Sequence, residues 1–463
     1  MSEIKVNKIS PRTACGTVQL GDSGDTITVP SGATITNNGT QTGFGRTGTV
    51  DWVTTVQTST ITAADGKGYF VNTTGGAITM NLPAGAAGSI VAFKDYGNTF
   101  DTNALTVTPN GTDKIGGVNA DAMFTTESQS VTLIYIDSTK GWMDIHDSTT
   151  AAKGNDKIIA TGGTVTTCGD FKIHTFTGPG TFAVTQVSPT AAENTVGYQV
   201  VAGGGAGGTA YYAGGGGAGG YREGRNAPID NFCASPLVAD APTNAVTVSA
   251  TPYPITVGGG GAASPCDANP GGNGNPSVFS TITATAGGGG GSRDNSGPGS
   301  PSGPVGGRKG GDGGSGGGGT NSDPQRSDLD GQGNTPPVSP SQGFPGGTAG
   351  YGAGGGGATA AAADAPPSSP FGTVGGAGAT SSITGSPVAR AGGGGGGSNG
   401  TTNMSGGSGG GGTGTGNCGP GPATAGTANT GGGGGGGSSG PSGTYMLGGA
   451  GGSGIVIIRY KYQ

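Results

Sequence analysis

The chain has 463 residues and a formal net charge of −6, and glycine and proline together account for 140 of its residues. The acidic balance argues against nucleic-acid binding, which needs basic stripes, and no apolar run approaches the roughly 20 residues of a membrane span. The five cysteines are widely spaced without a CxxC pair, so neither a zinc site nor a disulfide framework is predicted.

Residues 1–46 form the first predicted segment. The stretch from Gly16 to Ile35 is turn-rich and has too few large apolar residues for a core of its own, so we expect it to pack on identical chains or on a partner. The polar beginning Met-Ser-Glu-Ile-Lys does not have the pattern of a signal peptide.

Residues 47–150 have the composition of a β domain, and a second β unit is predicted over 151–202. Alternating apolar residues mark short strands separated by turn signals, and no amphipathic helix is evident anywhere. We expect short antiparallel strands in this part of the chain. The predicted strands are Val50–Val56, Tyr69–Val71, Ile78–Leu82, Ile90–Tyr96, Leu105–Thr108, Val131–Tyr135, Trp142–His146, Phe171–Phe176 and Phe182–Val184.

Residues 203–454 are a glycine region, in which the clusters alternate with loops rich in Pro, Ser, Asp, Asn and Thr. Composition of this kind is typical of disorder, whereas collagen is excluded because glycine does not recur strictly at every third position. The third interpretation is a sandwich of polyglycine II helices, which have three residues per turn and pack closely where they carry no side chains. We favour this sandwich.

Non-glycine residues recur at period three in several clusters, which a flexible linker would not require. We expect them to lie along the outward edges of the helices. The aligned sets are Ala206, Thr209, Tyr212, Ala218 and Tyr221, interrupted by Gly215; Lys309, Asp312 and Ser315; Pro345, Thr348 and Tyr351; Val374, Ala377 and Thr380; and Leu447, Ala450 and Ser453.

Two apolar segments flank the glycine region and read as strands. They are Thr195–Ala202 before it and Ile455–Tyr462 after it, within a closing strand predicted for 455–463. We expect the two to pair, or to lie in one small sheet, and so to clamp the first and last glycine helices together.

The segment Tyr198–Gly208 matches a dinucleotide-binding GxGxxG pattern, with Glu223 about twenty residues further on. That motif needs a helix to begin at the glycines, and the sequence that follows cannot form one. No cofactor is therefore expected.

The titratable residues suggest no catalytic or metal site. His146, beside Asp144, is expected to lie on the surface, and His174 lies in another predicted strand. No Ser/His/Asp or paired-carboxylate arrangement predicts an enzyme. Asp323, Asp328 and Asp330 could hold Ca²⁺, but a solvated acidic loop is the favoured interpretation.

The stretches Ile61–Pro83, Val91–Tyr96 and Ser130–Ile136 resemble a β domain of tail fibres from tailed bacteriophages, especially marine ones. The stretches Phe171–Thr177, Tyr198–Gly205 and Gly451–Tyr460 resemble the glycine-rich domain of phage and bacterial surface proteins. In phage adhesins of this kind, a polyglycine II sandwich carries variable loops that recognise the host surface.

The resemblance implies a homotrimeric virion tail fibre, made in the host cytoplasm. Residues 1–46 would attach to a phage tail or adaptor protein, residues 47–150 would form a trimerising shaft, and the glycine region would bind a bacterial outer-surface protein or glycan. Nucleic-acid binding and membrane insertion are not expected. The alternative is a structural baseplate or head-decoration fibre without a receptor role, and a depolymerase is a more distant one.

Receptor specificity is expected in the loops between glycine clusters. Counting chain reversals places the loops near 221–257, 293–305 and 358–373 at one end, and those near 263–286, 320–345 and 380–389 at the other. If the first glycine helix runs away from the flanking strands, the first set is distal. Its aromatic and charged residues, of the types that dominate interface energetics, are the candidate receptor contacts: Tyr221, Arg222, Arg225, Phe232, Arg293, Asp294 and Phe371.

Overall fold

A computed structural model of the chain describes residues 50–145, 156–209, 211–242, 244–264, 269–292, 309–320, 329–366, 369, 371–417, 419, 421–440 and 445–463, with residues 9, 18, 19, 22, 26 and 28. The predicted attachment segment 1–46 and His146 therefore lie almost wholly outside the described residues. The chain divides into two compact units, residues 1–113 with 124–152 and residues 114–123 with 153–463.

Nine strands lie between residues 51 and 144, as the alternating apolar pattern predicted for most of them. They are β1 (Asp51–Gln57), β2 (Ile61–Thr62), β3 (Lys67–Val71), β4 (Ile78–Asn81), β5 (Ile90–Asp95), β6 (Leu105–Thr108), β7 (Ala122–Phe124), β8 (Ser130–Asp137) and β9 (Gly141–Asp144). They form two sheets, of order β1-β3-β5-β8-β9 and β2-β4-β6-β7. The inward positions of the strands bury Phe93, Leu105 and Trp142 completely.

The expected antiparallel pairing is wrong for the first half of this region. β1, β3 and β5 pair in parallel, and so do β2, β4 and β6. The chain alternates between the two sheets, so each strand of one sheet serves as the crossover that parallel neighbours in the other sheet require. β8 pairs antiparallel, against both β5 and β9.

Thirteen further strands lie between residues 159 and 461. They are β10 (Ile159–Thr161), β11 (Thr164–Cys168), β12 (Phe171–Phe176), β13 (Gly180–Gln186), β14 (Thr195–Val201), β15 (Tyr221–Gly224), β16 (Val246–Thr247), β17 (Pro252–Thr256), β18 (Ser277–Phe279), β19 (Ile282–Ala284), β20 (Ala379–Ser381), β21 (Val388–Arg390) and β22 (Ile455–Lys461). A 3₁₀ turn at Ala191–Glu193 is the helical element among the described residues. The all-β prediction is confirmed.

The predicted clamp is also confirmed, because β14 and β22 pair antiparallel from Gly197–Arg459 to Val201–Ile455. They lie in a sheet of order β11-β12-β22-β14-β15, with β16 paired to β14, and a second sheet has the order β10-β13-β17-β18-β19. Phe182, Phe279 and Tyr460 pack in the cluster that joins the two sheets. Alternate residues of β14 and β22 face a second apolar cluster that includes Phe232 and Ile383.

Between these strands the glycine clusters form a hydrogen-bonded lattice. Successive N–H groups of 202–209 donate to three different neighbours in rotation: Gly203 and Ala206 to segment 269–275, Gly204 and Gly207 to 446–454, and Gly205 and Gly208 to 213–220. Rotation through three directions in three residues is the geometry of an extended threefold helix. The polyglycine II sandwich predicted from the clusters is therefore the fold of this region.

The glycine helix 213–220 lies at the centre of the lattice and is hydrogen-bonded to six neighbours. It donates to segments 285–291, 353–356 and 431–437, and it accepts from 202–208, 315–318 and 394–397. Backbone groups buried without partners would be costly, so this pattern explains how a segment almost without side chains can be buried.

A side chain on the inner glycines would collide with a neighbouring backbone. A Cβ built on Gly216 would lie 2.1 Å from the carbonyl oxygen of Gly205, and one on Gly433 would lie 1.9 Å from that of Gly216. The close approach of the helices, rather than an unusual backbone conformation, is what requires glycine at these positions.

The predicted outward edges are only partly right. Val374 and Leu447 are exposed, as expected, but Ala206, Ala218 and Ser315 are fully buried. Helices at the rim of the lattice have an outward edge, whereas the inner ones are surrounded and accept only small side chains. Period three reports the helix geometry and does not report which face is solvent-exposed.

Candidate functional site

The lattice has two ends, which the course of the first two glycine helices defines. Segment 202–209 runs away from β14, and segment 213–220 returns to β15, which pairs with β14. We call the end that carries β14, β15 and β22 the strand end, and the opposite end the far end. Residues 211 and 212, between these two helices, lie at the far end.

The described connections divide between the two ends differently from the prediction. Residues 221–242, 244–257, 276–285, 334–341 and 379–390 lie at the strand end, and residues 349–351, 366, 369, 371–372, 399–403, 417, 419 and 421–422 lie at the far end. The first predicted set therefore mixed the two ends, and the loop beginning at 221 is not distal, whereas the described connections within the second set share the strand end. The error in the first set arose because very short turns, such as the one that includes residues 211–212, reverse the chain without a visible loop.

Three of the predicted receptor contacts are buried at the strand end. Tyr221 and Arg222 lie in β15, where Tyr221 is 1% exposed and its hydroxyl accepts a hydrogen bond from Gln199 Nε2 at 2.7 Å. Burial raises the pKa of Tyr221 far above its usual value. Phe232 is buried in the apolar cluster behind the sheet, and Arg225 donates to its carbonyl at 3.0 Å. These residues hold the connection that begins at 221 against the sheet, and they are not exposed to a receptor.

The remaining predicted contacts are separated from that group. Arg293 and Asp294 lie outside the described residues. Phe371 lies in the far-end connection that precedes the glycine helix 372–378, and its side chain is 50% exposed. Its ring lies beside Gly400, where an added Cβ would come within 2.7 Å. Of the predicted set, Phe371 alone is shown exposed at the far end.

Four tyrosines that the prediction did not select meet at the far end. This tyrosine cluster consists of Tyr211, Tyr212, Tyr351 and Tyr445, all half-buried. The ring centroids of Tyr212 and Tyr351 are 4.5 Å apart, and those of Tyr211 and Tyr445 are 5.5 Å apart, both in edge-to-face geometry. Tyr211 and Tyr212 are also edge to face, at 5.8 Å, so the four rings form one continuous group.

Neutral polar groups surround the tyrosine cluster. The hydroxyl of Tyr212 donates to Asn399 Oδ1 at 2.6 Å, and Asn417 Nδ2 donates to the same oxygen at 3.2 Å. The hydroxyl of Ser439 lies 3.3 Å from that of Tyr212. Tyrosine, serine, asparagine and glycine are the residues that antibody paratopes favour, because they combine rigid contact area with adaptable hydrogen bonding.

The backbone conformation of Tyr212 indicates that its side chain has a function. Its φ of 51° lies in the left-handed region, which is a genuine outlier for a bulky residue and favours glycine. Glycine would fit this φ without strain and is abundant in the chain, with 111 copies. A tyrosine here raises the conformational energy of the folded state, which a function of its ring would explain. Strain of this kind clusters at functional sites.

The sequence held a signal for this site. Tyr211 and Tyr212 are adjacent between two glycine clusters, and Tyr351 and Tyr445 also stand directly before glycine helices. Aromatic residues that flank glycine helices mark the ends of the lattice, where they pack on one another or, like Tyr221, into the core behind the sheet. The prediction counted Tyr212 and Tyr351 only as members of a period-three register.

At the strand end, the polar side chains bind one another. Arg459 Nε and Asp230 Oδ2 are 2.7 Å apart, with both side chains buried. Glu223, the acidic residue of the GxGxxG match, accepts from Ser235 N at 2.8 Å and from the hydroxyl of Ser381. The amides of 203–208 donate to neighbouring glycine helices, so they do not begin the α-helix that would hold a pyrophosphate. Because Glu223 is already hydrogen-bonded to Ser235 and Ser381, it is not placed to bind a ribose.

His174 in β12 belongs to the core between the sheets. Its Nδ1 lies 2.7 Å from the carbonyl oxygen of Gly162, and its Nε2 lies 3.2 Å from the hydroxyl of Tyr460. Burial lowers the pKa of His174 and raises that of Tyr460 to about 12. The histidine therefore remains neutral in the folded state near pH 7.

Neither a metal cluster nor a membrane-spanning helix is present in the described ranges. No group of three or more His, Cys, Asp or Glu residues there is arranged to hold a metal ion, and no helix there is long and apolar enough to cross a membrane. Asp323 and Asp328, the residues considered for Ca²⁺, lie outside those ranges, and Asp330 accepts from Gln332 at 2.8 Å.

A family model described as a glycine-rich domain matches residues 175–461, which include the lattice and the strands that close it. No curated protein matches the chain.

Proposed function

The chain belongs to the glycine-rich domain family, and from this premise we propose that it is a tail fibre of a tailed bacteriophage. Its glycine lattice carries a receptor-binding surface at the far end, and this surface contacts the bacterial cell. The tyrosine cluster and the exposed Phe371 lie on that surface.

The tyrosine cluster is the observation that carries this proposal. Side chains on a glycine scaffold have few neighbours to pack against, yet four aromatic rings gather where the chain merely has to reverse. A turn needs no tyrosine, and Tyr212 costs conformational energy there. Aromatic residues dominate the binding energy of protein interfaces, so a binding role accounts for their placement.

The first unit is proposed to form the trimeric shaft, with residues 1–46 attached to the virion. Four large apolar side chains of this unit are exposed, and subunit contacts would remove them from water. Trp52, Tyr96, Ile136 and Ile145 are between 42% and 57% exposed. Light scattering of the full chain tests this part, and a monomer at micromolar concentration would contradict it.

Adsorption competition tests the receptor role. The purified full chain is added to susceptible bacteria before the phage that carries it, and free phage are counted after a short incubation. We expect the protein to reduce adsorption in a saturable manner, while a variant with Tyr211, Tyr212 and Tyr351 changed to alanine competes poorly. Gold-labelled antibody to the chain should bind the virion at its tail.

Three results would redirect the proposal. Tail labelling without competition would favour the structural alternative, a baseplate fibre with no receptor role. Labelling on the head would favour a decoration fibre. Release of reducing sugar from host glycan by the purified chain would instead indicate an enzyme.

A further inference from the structure

We infer that the tyrosine cluster binds a neutral glycan of the bacterial surface, through stacking of sugar rings on the tyrosines and hydrogen bonds to the neighbouring amides. This inference rests on the proposed receptor-binding function and specifies its ligand class. It assigns binding to Tyr211, Tyr212, Tyr351 and Tyr445, and not to the strand-end residues.

The arrangement of the rings suits a sugar. A pyranose ring has an apolar C–H face and a rim of hydroxyl groups, so it needs a flat aromatic surface with polar groups beside it. Edge-to-face pairs place the face of one tyrosine next to the edge of another, as between Tyr212 and Tyr351 at 4.5 Å. The phenol group adds a hydrogen-bonding tip to each ring.

The polar groups next to the rings can both donate and accept without charge. Asn399 already holds the Tyr212 hydroxyl at 2.6 Å and is itself held by Asn417. Thr401 and Thr402, in the same connection, are exposed. Amide and hydroxyl groups offer both hydrogen-bond roles in a small space, which matches the mixed donors and acceptors of sugar hydroxyls.

Sparse charge beside the cluster favours a glycan over a protein ligand. The sequence of the connections 209–213, 348–351, 398–404, 416–422 and 438–446 contains no Lys, Arg, His, Asp or Glu, and a carboxylate, that of Asp364, meets them at Thr348 N, 2.7 Å away. Protein interfaces are enriched in arginine and use complementary charges for specificity and association rate. A surface built from tyrosine, asparagine, serine, threonine and glycine instead fits a neutral polymer of hydroxyl groups.

The test measures binding of the fluorescently labelled full chain to susceptible bacteria in three states. Cells are left intact, oxidised with periodate to cleave the vicinal diols of their glycans, or treated with protease. We expect periodate to reduce binding at least tenfold, and protease to leave it nearly unchanged. Polysaccharide purified from the same cells should compete with binding.

Variants connect this result to the cluster. Tyr212→Ala and Tyr351→Ala should each weaken binding of the purified polysaccharide about tenfold, the size of a strong contact residue. Tyr351→Leu retains apolar volume but lacks a ring face, and it should lose binding as well. Val374→Ala, at an exposed position along a glycine helix, is the control and should bind normally. Thermal melting verifies that each variant is folded.

Two outcomes overturn the inference and are distinct from failure of the receptor role. Binding that survives periodate and disappears after protease would identify a protein receptor and leave the proposed function standing. Folded tyrosine variants that bind the polysaccharide normally would place the glycan site elsewhere. Failure of the wild-type chain to bind any intact susceptible cell would contradict the proposed function itself.

Discussion

Replacing Gly216 with alanine tests the lattice most severely, because Gly216 is in the middle of the central glycine helix. The new Cβ would lie 2.1 Å from the carbonyl oxygen of Gly205, whereas Cβ atoms essentially never approach such atoms within 3.0 Å. The difference of 0.9 Å is the smallest retreat that the neighbouring helix must make.

That retreat is enough to break the contacts between the two helices. The hydrogen bond from Gly205 N to Gly217 O is 2.8 Å long, and lengthening it by 0.9 Å would take it beyond the normal range. Three bonds join segments 202–208 and 214–220. At about 1 kcal/mol each, loss of the three bonds would lower the free energy of unfolding by about 3 kcal/mol. If the neighbouring helix moved away by less than 0.9 Å, the crowded Cβ would instead destabilise the protein by about 1–3 kcal/mol.

Gly259→Ala provides a matched control in the same region. Its new Cβ would meet only Asn275 Nδ2, at 3.8 Å, which is an ordinary contact. Alanine at such a position restricts the unfolded chain and should stabilise the protein by about 0.4–1 kcal/mol. The two variants therefore differ in the sign of their effect, although the chemical change is identical.

Differential scanning calorimetry of the full chain measures both variants. A change of 1 kcal/mol shifts the melting temperature by about 2–4 °C for a large domain, so Gly216→Ala should lower it by about 6 °C or more. Gly259→Ala should leave it unchanged or raise it slightly. Equal melting temperatures for the two variants would refute the lattice argument.

Three other changes test separate parts of the structure. Asp230→Ala leaves the buried Arg459 guanidinium without its partner and should cost about 3–5 kcal/mol, seen as a large fall in melting temperature; a change below 1 °C would contradict this. Burial lowers the pKa of His174 below 6.5 in the folded state, so the unfolded chain binds a proton first as the pH falls. The free energy of unfolding should therefore decrease below about pH 6.5. His174→Gln should weaken the fall of the melting temperature between pH 7 and pH 5, and an unchanged dependence of the melting temperature on pH would exclude the histidine as its cause. Tyr212→Gly suits the φ of 51° and should raise the melting temperature by relieving about 1 kcal/mol of strain, while it weakens cell adsorption; unchanged adsorption would exclude a binding role for the ring.

The strands were predictable from the sequence because their side chains alternate. β4, β8 and β13 show apolar residues at every second position, and β14 and β22 are rich in β-branched residues that fit a buried sheet. Pairing direction was not predictable, since the alternation of the chain between two sheets is a property of the turns. Very short strands such as β2 and β16 have too few residues to show any period.

The glycine region was predictable as a lattice but not in its internal order. Glycine clusters carry no side chains that could indicate direction, neighbours or depth, so Ala206 and Ala218 looked like outward residues although they are buried. The reversal at residues 211–212 determines which end every later loop occupies. The predicted contacts Tyr221 and Phe232 were misplaced for this reason, whereas Phe371 lies in the predicted loop 358–373, whose described residues 366, 369 and 371–372 are at the far end.

The most direct test of the account blocks one end of the lattice at a time. A short biotin-acceptor peptide is inserted after Thr402, an exposed far-end residue, or after Ser386, an exposed residue in the strand-end connection between β20 and β21. Binding of both proteins to susceptible cells is then measured with and without streptavidin. The account predicts that streptavidin abolishes adsorption only for the insertion at Thr402. Loss of adsorption only for the insertion at Ser386 would place the receptor contacts at the strand end and contradict it.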